Sequence, residues 1–485
     1  MSKHLVTLLL LWGAFLLTCP APAQHMVAPH TQREEGYRAE TLHTYEPGDS
    51  EQGSTDSTLS IRTFFTKGHF EGHIRNYTMA TTNKGALSDY WSNATGGAVH
   101  YTTATYHGLQ LGVAWIFTFH TLGPDLTTPD SISGKLPKWE LELYDVSRPG
   151  VGKDLDRLEE LWLYYERPRW NIRIGKQNIN KGPLLLARDG RMKPFVYRGV
   201  WMQGTPAKGH RLTLGGIDKV SPRGFTEWYS LTEAIGLAGM GVTPEGEPSA
   251  YHEQVETKGL LVAGYENTVL PGIRLSYWSY YLHNLFTMQW AQVDYHHEGL
   301  ILGAQLACQQ PQKAQRNQEQ TTRYMQPNER GVVASVQAGW QGDHIHLTAA
   351  ALRSFSEGRF LWPKELGRED FYVSQPRAWI DGLGDAKVYS LKGVYKGLPH
   401  GGWNMKLQLS RYDLPAADEL NKYRRPSFYQ VLAEAGYTFG GRLKGLELTF
   451  LYIGRYSPAE ETPALAQNFY RTNFHHLNLV TNIVF

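Results

Sequence analysis

Four charges fall within six positions of one another in the stretch "NINKGPLLLARDGRMKPF" (178–195): Arg188, Asp189, Arg191 and Lys193. Guanidinium groups grip carboxylates through paired hydrogen bonds, so the chemistry on offer is recognition of a small anion. Gly182 and Gly190 let the chain turn around it. The same four charges would equally solvate an exposed loop or pin it to a neighbouring surface, and the stretch alone does not choose. A second basic set, Arg75, Arg173, Arg211, Arg274, Lys392 and Lys406, shares one face of alternating segments described below. Glu71, Glu160, Asp294, Glu434 and Glu447 have the same parity, so the face is mixed in charge and suits a hydrated wall as well as an anion path.

Covalent and metal chemistry find less support. No phosphate-binding glycine loop, dinucleotide fingerprint or GxSxG elbow occurs. His344 and His346 could share a strand face, but no third and fourth ligand accompanies them, and "DLTTPDSISG" lacks the full pattern of a calcium loop. No cofactor, metal or catalytic set is expected. A formal charge of +2 gives no global attraction to nucleic acid.

The elements that must position these residues are strands. Met1 to Gln24 reads as a leader: Lys3, an apolar run from Leu5 to Leu17, then Ala21-Pro22-Ala23. Cleavage after residue 23 leaves Cys308 as the one cysteine, so no internal disulfide is expected. Residues 24–68 are polar and low in aliphatics, a loosely ordered lead-in. Beyond them no apolar run is long enough for a transmembrane helix. The chain is instead rich in Tyr, Trp, Phe and Gly, which suit strands and tight turns.

Eighteen segments alternate apolar with polar residues, from 70–81, 97–106 and 109–119 through 170–177, 196–204 and 387–396 to 446–455 and 473–485. Their connections alternate too. Tight turns such as Tyr106-His107-Gly108 and His296-His297-Glu298-Gly299 alternate with long stretches, 120–157, 178–195, 220–254, 309–331, 354–386, 413–427 and 456–472. A transmembrane barrel has short turns on its periplasmic side and long loops outside, and an even strand number lets the last strand close on the first. Residues 69–485 are therefore expected to form an all-β, up-and-down antiparallel barrel of about eighteen strands. In the closing stretch "HHLNLVTNIVF", Leu477, Leu479, Ile483 and Phe485 would face lipid and His476, Asn478 and Asn482 water. Changes in the closing strand are expected to cost far more than changes in the 354–386 connection.

The words "FEGHIRNYTM", "NKGALSDYWSNATGG", "DLDRLEELWLYYE", "IRIGKQNINKGPLL", "DGRMKP" and "GGIDKVSPRG", in this order, resemble the OprD-type outer-membrane porins of Gram-negative bacteria, in a divergent branch. The resemblance implies an 18-stranded channel in the outer membrane, exported by a cleaved signal peptide, often trimeric. It implies passive passage of small hydrophilic solutes, amino acids and small carboxylates among them. It also implies that the third long connection, 178–195, folds into the lumen as a constriction. Expected partners are outer-membrane lipid and lipopolysaccharide, and the barrel-assembly machinery through the strand ending at Phe485. A barrel enzyme of protease or lipase type, or an adhesive barrel working through its long loops, are the alternatives.

Overall fold

The computed structural model describes residues 60–153, 155–186, 191–397, 402–460 and 463–485. The leader, most of the lead-in, Arg188 and Asp189 lie outside the described residues. The end of the lead-in forms a short helix, α1 (Ile61–Thr66), with Ser60 capping its N-terminus.

Antiparallel strands follow in chain order: β1 (His69–Asn83), β2 (Tyr90–Thr102), β3 (Leu109–Leu122), β4 (Leu155–Arg167), β5 (Trp170–Gln177), β6 (Val196–Gly204) and β7 (His210–Ser221). A two-residue strand, β8 (Tyr229–Ser230), adds to the edge of β7. Then come β9 (Leu260–Asn267), β10 (Ile273–Leu282), β11 (Phe286–His297), β12 (Leu300–Pro311), β13 (Gly331–Gln341) and β14 (Ile345–Ser354). The last five are β15 (Lys387–Lys396), β16 (Gly402–Asp413), β17 (Phe428–Thr438), β18 (Leu446–Tyr456) and β19 (Phe474–Val484). β7 pairs directly with β9, and β19 pairs with β1 from His73↔Val484 to Asn83↔Phe474, so eighteen strands close a barrel and β8 is an appendage. The backbone of Phe485 extends the closure through two hydrogen bonds with Gly72 (2.8 and 3.0 Å). Each of the eighteen barrel strands thereby has two neighbours, as a backbone in hydrocarbon requires.

Three strands, β5, β6 and β15, have the bounds that alternation predicts. The main correction is β2, expected at 97–106 and found at Tyr90–Thr102. A bulge at Asn93/Ala94 breaks the alternation there, and Ser92, Asn93 and Ala94 are all buried. The Asn93 amide bonds Asn76 Oδ1 (2.8 Å) and Thr78 Oγ1 (2.7 Å), so a polar run sits inside the ladder.

The outward face is apolar. Leu477, Leu479, Ile483 and Phe485 are exposed on β19, as are Leu111, Val113, Trp115 and Phe119 on β3. Trp170, Trp340, Tyr395, Trp403 and Phe485 ring the end with the short turns; Tyr281, Tyr389, Tyr429 and Tyr456 ring the other. These are the aromatic girdles of a membrane-spanning barrel. Outward charges such as Arg198–Asp218, Arg353–Asp385 and Arg411–Asp413 are paired and sit at strand ends beside long connections. Inside, tryptophans lie across glycines on the neighbouring strand. Gly112 faces Trp162 in register, and a Cβ there would come within 2.1 Å of the indole.

Candidate functional site: a cationic cavity in the lumen

The lumen is occupied by the long connections, and the wall holds them by name. Gln309 on β12 clasps Leu361 twice, donating from Nε2 to its carbonyl (2.6 Å) and accepting its N–H at Oε1 (2.9 Å). Gln305 does the same to Asp370 and Tyr372 (3.0 and 3.1 Å). Gln430 on β17 donates to the Pro376 carbonyl (2.9 Å), and Arg455 on β18 to that of Arg377. The Arg377 guanidinium then reaches Nε2 of His476 on β19 (3.0 Å). That nitrogen accepts, so the ring proton is on Nδ1, 2.8 Å from Thr81 Oγ1, which donates to Glu140 (2.5 Å). Residues 361–377 are thus fastened along the inside of the wall from β12 to β19. Phe360, Leu361, Trp362, Leu366, Phe371 and Val373 are buried against it. The 354–386 connection is no solvent loop: its apolar side chains form much of the interior core.

The 178–195 connection also lies inside. Leu184 and Leu185 are buried with that core, and the Pro183 carbonyl accepts the Asp370 N–H (3.0 Å). Between these segments is a cavity of about 440 Å³, lined from six connections and from Arg455 on β18. Among the described residues its lining holds eleven basic side chains and three acidic ones: Lys138, Arg191, Arg223, Lys364, Arg368, Arg377, Lys422, Arg424, Arg425, Arg455 and Arg471 against Glu142, Glu369 and Asp381. Trp139, Trp362, Trp379, Tyr423 and Tyr470 supply flat walls.

Three of these guanidiniums are positioned by neutral acceptors, while Arg424 pairs with Asp418 (2.7 Å). Arg368 donates to the carbonyls of Lys364 (2.7 Å) and Gly367 (2.9 Å). Arg425 donates to those of Trp379 (2.6 Å) and Asp381 (2.5 Å). Arg455 bonds Gln430 Oε1 and the Arg471 carbonyl (2.9 Å each). Carbonyls fix a guanidinium without cancelling its charge. Lys422 rests between the rings of Tyr251 and Tyr324 (4.5 and 4.6 Å), and Lys364 lies 3.2 Å from the centroid of Tyr423. Glu142 takes two cavity arginines, Arg191 and Arg223.

Burial sets the protonation equilibria here, with charge neighbours second. Lys138 opens onto the cavity, yet protein surrounds that small volume. Burial and the guanidiniums of Arg368, Arg425, Arg223 and Arg191 lower its pKa to about 7. Burial takes Lys422 down to about 8 and Lys364 well below the usual lysine value. Burial and the nearby Asp381 raise Glu369 to about 7.

Of the residues singled out in the sequence, Arg191 lines the cavity. It adopts a left-handed backbone (φ 48°), ion-pairs with Glu142, and its carbonyl accepts from Arg75 on β1. Arg75 is buried behind it and also donates to Asn482 (2.7 Å). Lys193 is buried against the 123–154 connection, its Nζ donating to the carbonyls of Leu143 (3.1 Å) and Tyr144 (2.6 Å). The other wall cations run toward the short-turn rim, apart from the cavity. Arg173 lies over Trp162 (5.4 Å), Arg211 pairs with Glu266 (3.4 Å), and Arg274 and Lys406 stand opposite Asp294 and Glu434 in register. Lys392 is half-buried between Thr348 and Gln408 on the flanking strands. Sequence reasoning missed ten of the eleven cavity cations. The run Lys422-Tyr423-Arg424-Arg425 was the available signal.

No protein-family model matches the chain, and no curated protein matches it significantly. Solved structures do. Acinetobacter baumannii OccAB4 shares 13% identity with a TM-score of 0.64, over 86% of this chain and 98% of its own. Pseudomonas aeruginosa OccK9 (OpdG) gives 14% and 0.64, over 87% and 100%. Pseudomonas aeruginosa OpdK, solved with vanillate, gives 17% and 0.61, over 87% and 99%. At such identities the likeness is one of fold, and the fold of this chain is that of the OprD-type porins, as its sequence words implied.

Proposed function

We propose that the protein is an outer-membrane porin through which small hydrophilic solutes diffuse passively, with anions favoured and amino acids and small carboxylates within its range. The observation that carries this reading is the cavity lined, among the described residues, by eleven basic side chains and three acids, with Arg368, Arg425 and Arg455 held by carbonyls. A channel needs fixed charge that replaces part of a solute's hydration without trapping it, and no nucleophile. The apolar belt and the two aromatic girdles support a place in the outer membrane, in contact with its lipid. In this reading residues 1–23 serve export, 24–68 lead into the barrel, and 178–195 narrows the lumen together with 355–386. Arg191 contributes to selectivity at the constriction. Arg188, Asp189 and Lys193 belong to the same connection, and Arg75, Arg173, Arg211, Arg274, Lys392 and Lys406 form the path along the wall.

Liposomes carrying the purified, folded protein test this. They should swell faster in an isosmotic small carboxylate than in a neutral sugar of similar size. Equal rates with protein-free liposomes for every solute would overturn the proposal.

A further inference from the structure

Four basic side chains that line the cavity come from three connections: Lys138 from 123–154, Lys364 and Arg368 from 355–386, and Arg425 from 414–427. The charges bearing most strongly on Lys138 are all guanidiniums, with those of Arg368 and Arg425 foremost. Asp381 is the acid common to Lys364, Arg368 and Arg425, and its own carboxylate already accepts the Trp362 N–H (3.0 Å) and the Tyr423 hydroxyl (3.2 Å). Arg368 and Arg425 are oriented by backbone carbonyls, which leave the guanidinium charge in place, and Asp381 and Glu369 are the acids nearest in effect to both.

A single carboxylate brings one negative charge to this point. A phosphoryl or sulfuryl group brings close to two, on three or more acceptor oxygens that can meet several donors from different sides. We infer that the solute recognised at this cavity bears a doubly charged oxyanion group, which it binds in preference to a single carboxylate. The inference rests on the reading of the protein as an anion-favouring channel and narrows the class of anion. The lowered lysine pKa values come first from burial, and the neighbouring guanidiniums add to it at Lys138, a contribution that a dianion at the centre would relieve.

The test measures chloride current through single channels in a planar bilayer while sodium sulfate, inorganic phosphate or sodium acetate is added at matched ionic strength near pH 7. Sulfate or phosphate should halve the current at a concentration at least tenfold below that of acetate, and the order of the two tells which oxyanion fits better. The double variant Lys138→Gln/Arg425→Gln should bring the oxyanion down to the acetate level, and Lys138→Arg should keep the preference. Heat-modifiable migration establishes that each variant is folded. Block by both oxyanions no stronger than by acetate, in a channel that still prefers chloride to potassium, overturns this inference and leaves the anion-channel reading intact. A channel that prefers potassium overturns the reading beneath it.

Discussion

Replacing Lys138 with Gln isolates one charge of the cavity at little cost to the scaffold, because the residue's strongest electrostatic neighbours repel it. A volume of about 440 Å³, taken as a sphere, has a radius of about 5 Å. A lining charge then sits about 7 Å from the centre, where one unit charge acts on another with about 0.6 kcal/mol in bulk water and about 2.4 kcal/mol at an effective dielectric of about 20. That brackets the loss of anion preference between about threefold and about fiftyfold. In about 0.1 M salt the screening length is about 10 Å, so at about 7 Å screening leaves about half of the effect. The assay is the chloride-to-potassium permeability ratio, from the zero-current potential across a salt gradient. Lys444→Gln, on an exposed short turn outside the cavity, is the control and should leave the ratio near the parent value. A folded Lys138→Gln channel with an unchanged ratio would refute the argument that this cavity sets selectivity.

Three further outcomes follow from the same geometry. Raising the pH from about 6 to about 9 should weaken anion preference: Lys138 and Lys422 lose protons near 7 and 8, and Glu369 gains negative charge near 7, so all three lower the positive charge together. A preference that grows with pH would contradict this. Gln309→Ala removes both bonds to Leu361 and leaves two backbone groups to find new partners, at roughly 1–3 kcal/mol each. Segment 355–386 should exchange amide hydrogens faster and single-channel conductance should rise, and identical exchange would show that the clasp is idle. Leu479→Lys puts a charge on the lipid face of the closing strand, at roughly 2–4 kcal/mol near mid-membrane, and should reduce the heat-modifiable band on a gel.

Alternation made the barrel legible because period two is written into each strand independently. "WNIRIGKQ" shows its faces without knowledge of any partner, and β5 has the expected bounds. β2 was misplaced where a bulge puts Ser92, Asn93 and Ala94 inside together, which a strict two-residue rhythm cannot represent. The cavity was illegible for a different reason. Lys138, Arg368 and Arg425 carry no shared spacing and meet only after the barrel has closed and three connections have turned inward. Segment 355–386 has no period either, yet its content of Phe360, Leu361, Trp362, Phe371 and Trp379 was too apolar for a loop in water, and that contradiction was the readable clue. The closing strand and the infolded segment now both count as structural: β19 completes the ladder, and 361–377 fills what the ladder encloses.

The most direct test of the central claim is the zero-current potential of the unmodified protein in a planar bilayer under a tenfold potassium chloride gradient. A lumen governed by eleven cations and three acids should set that potential on the chloride side. A potential on the potassium side, or one at zero, would contradict the account.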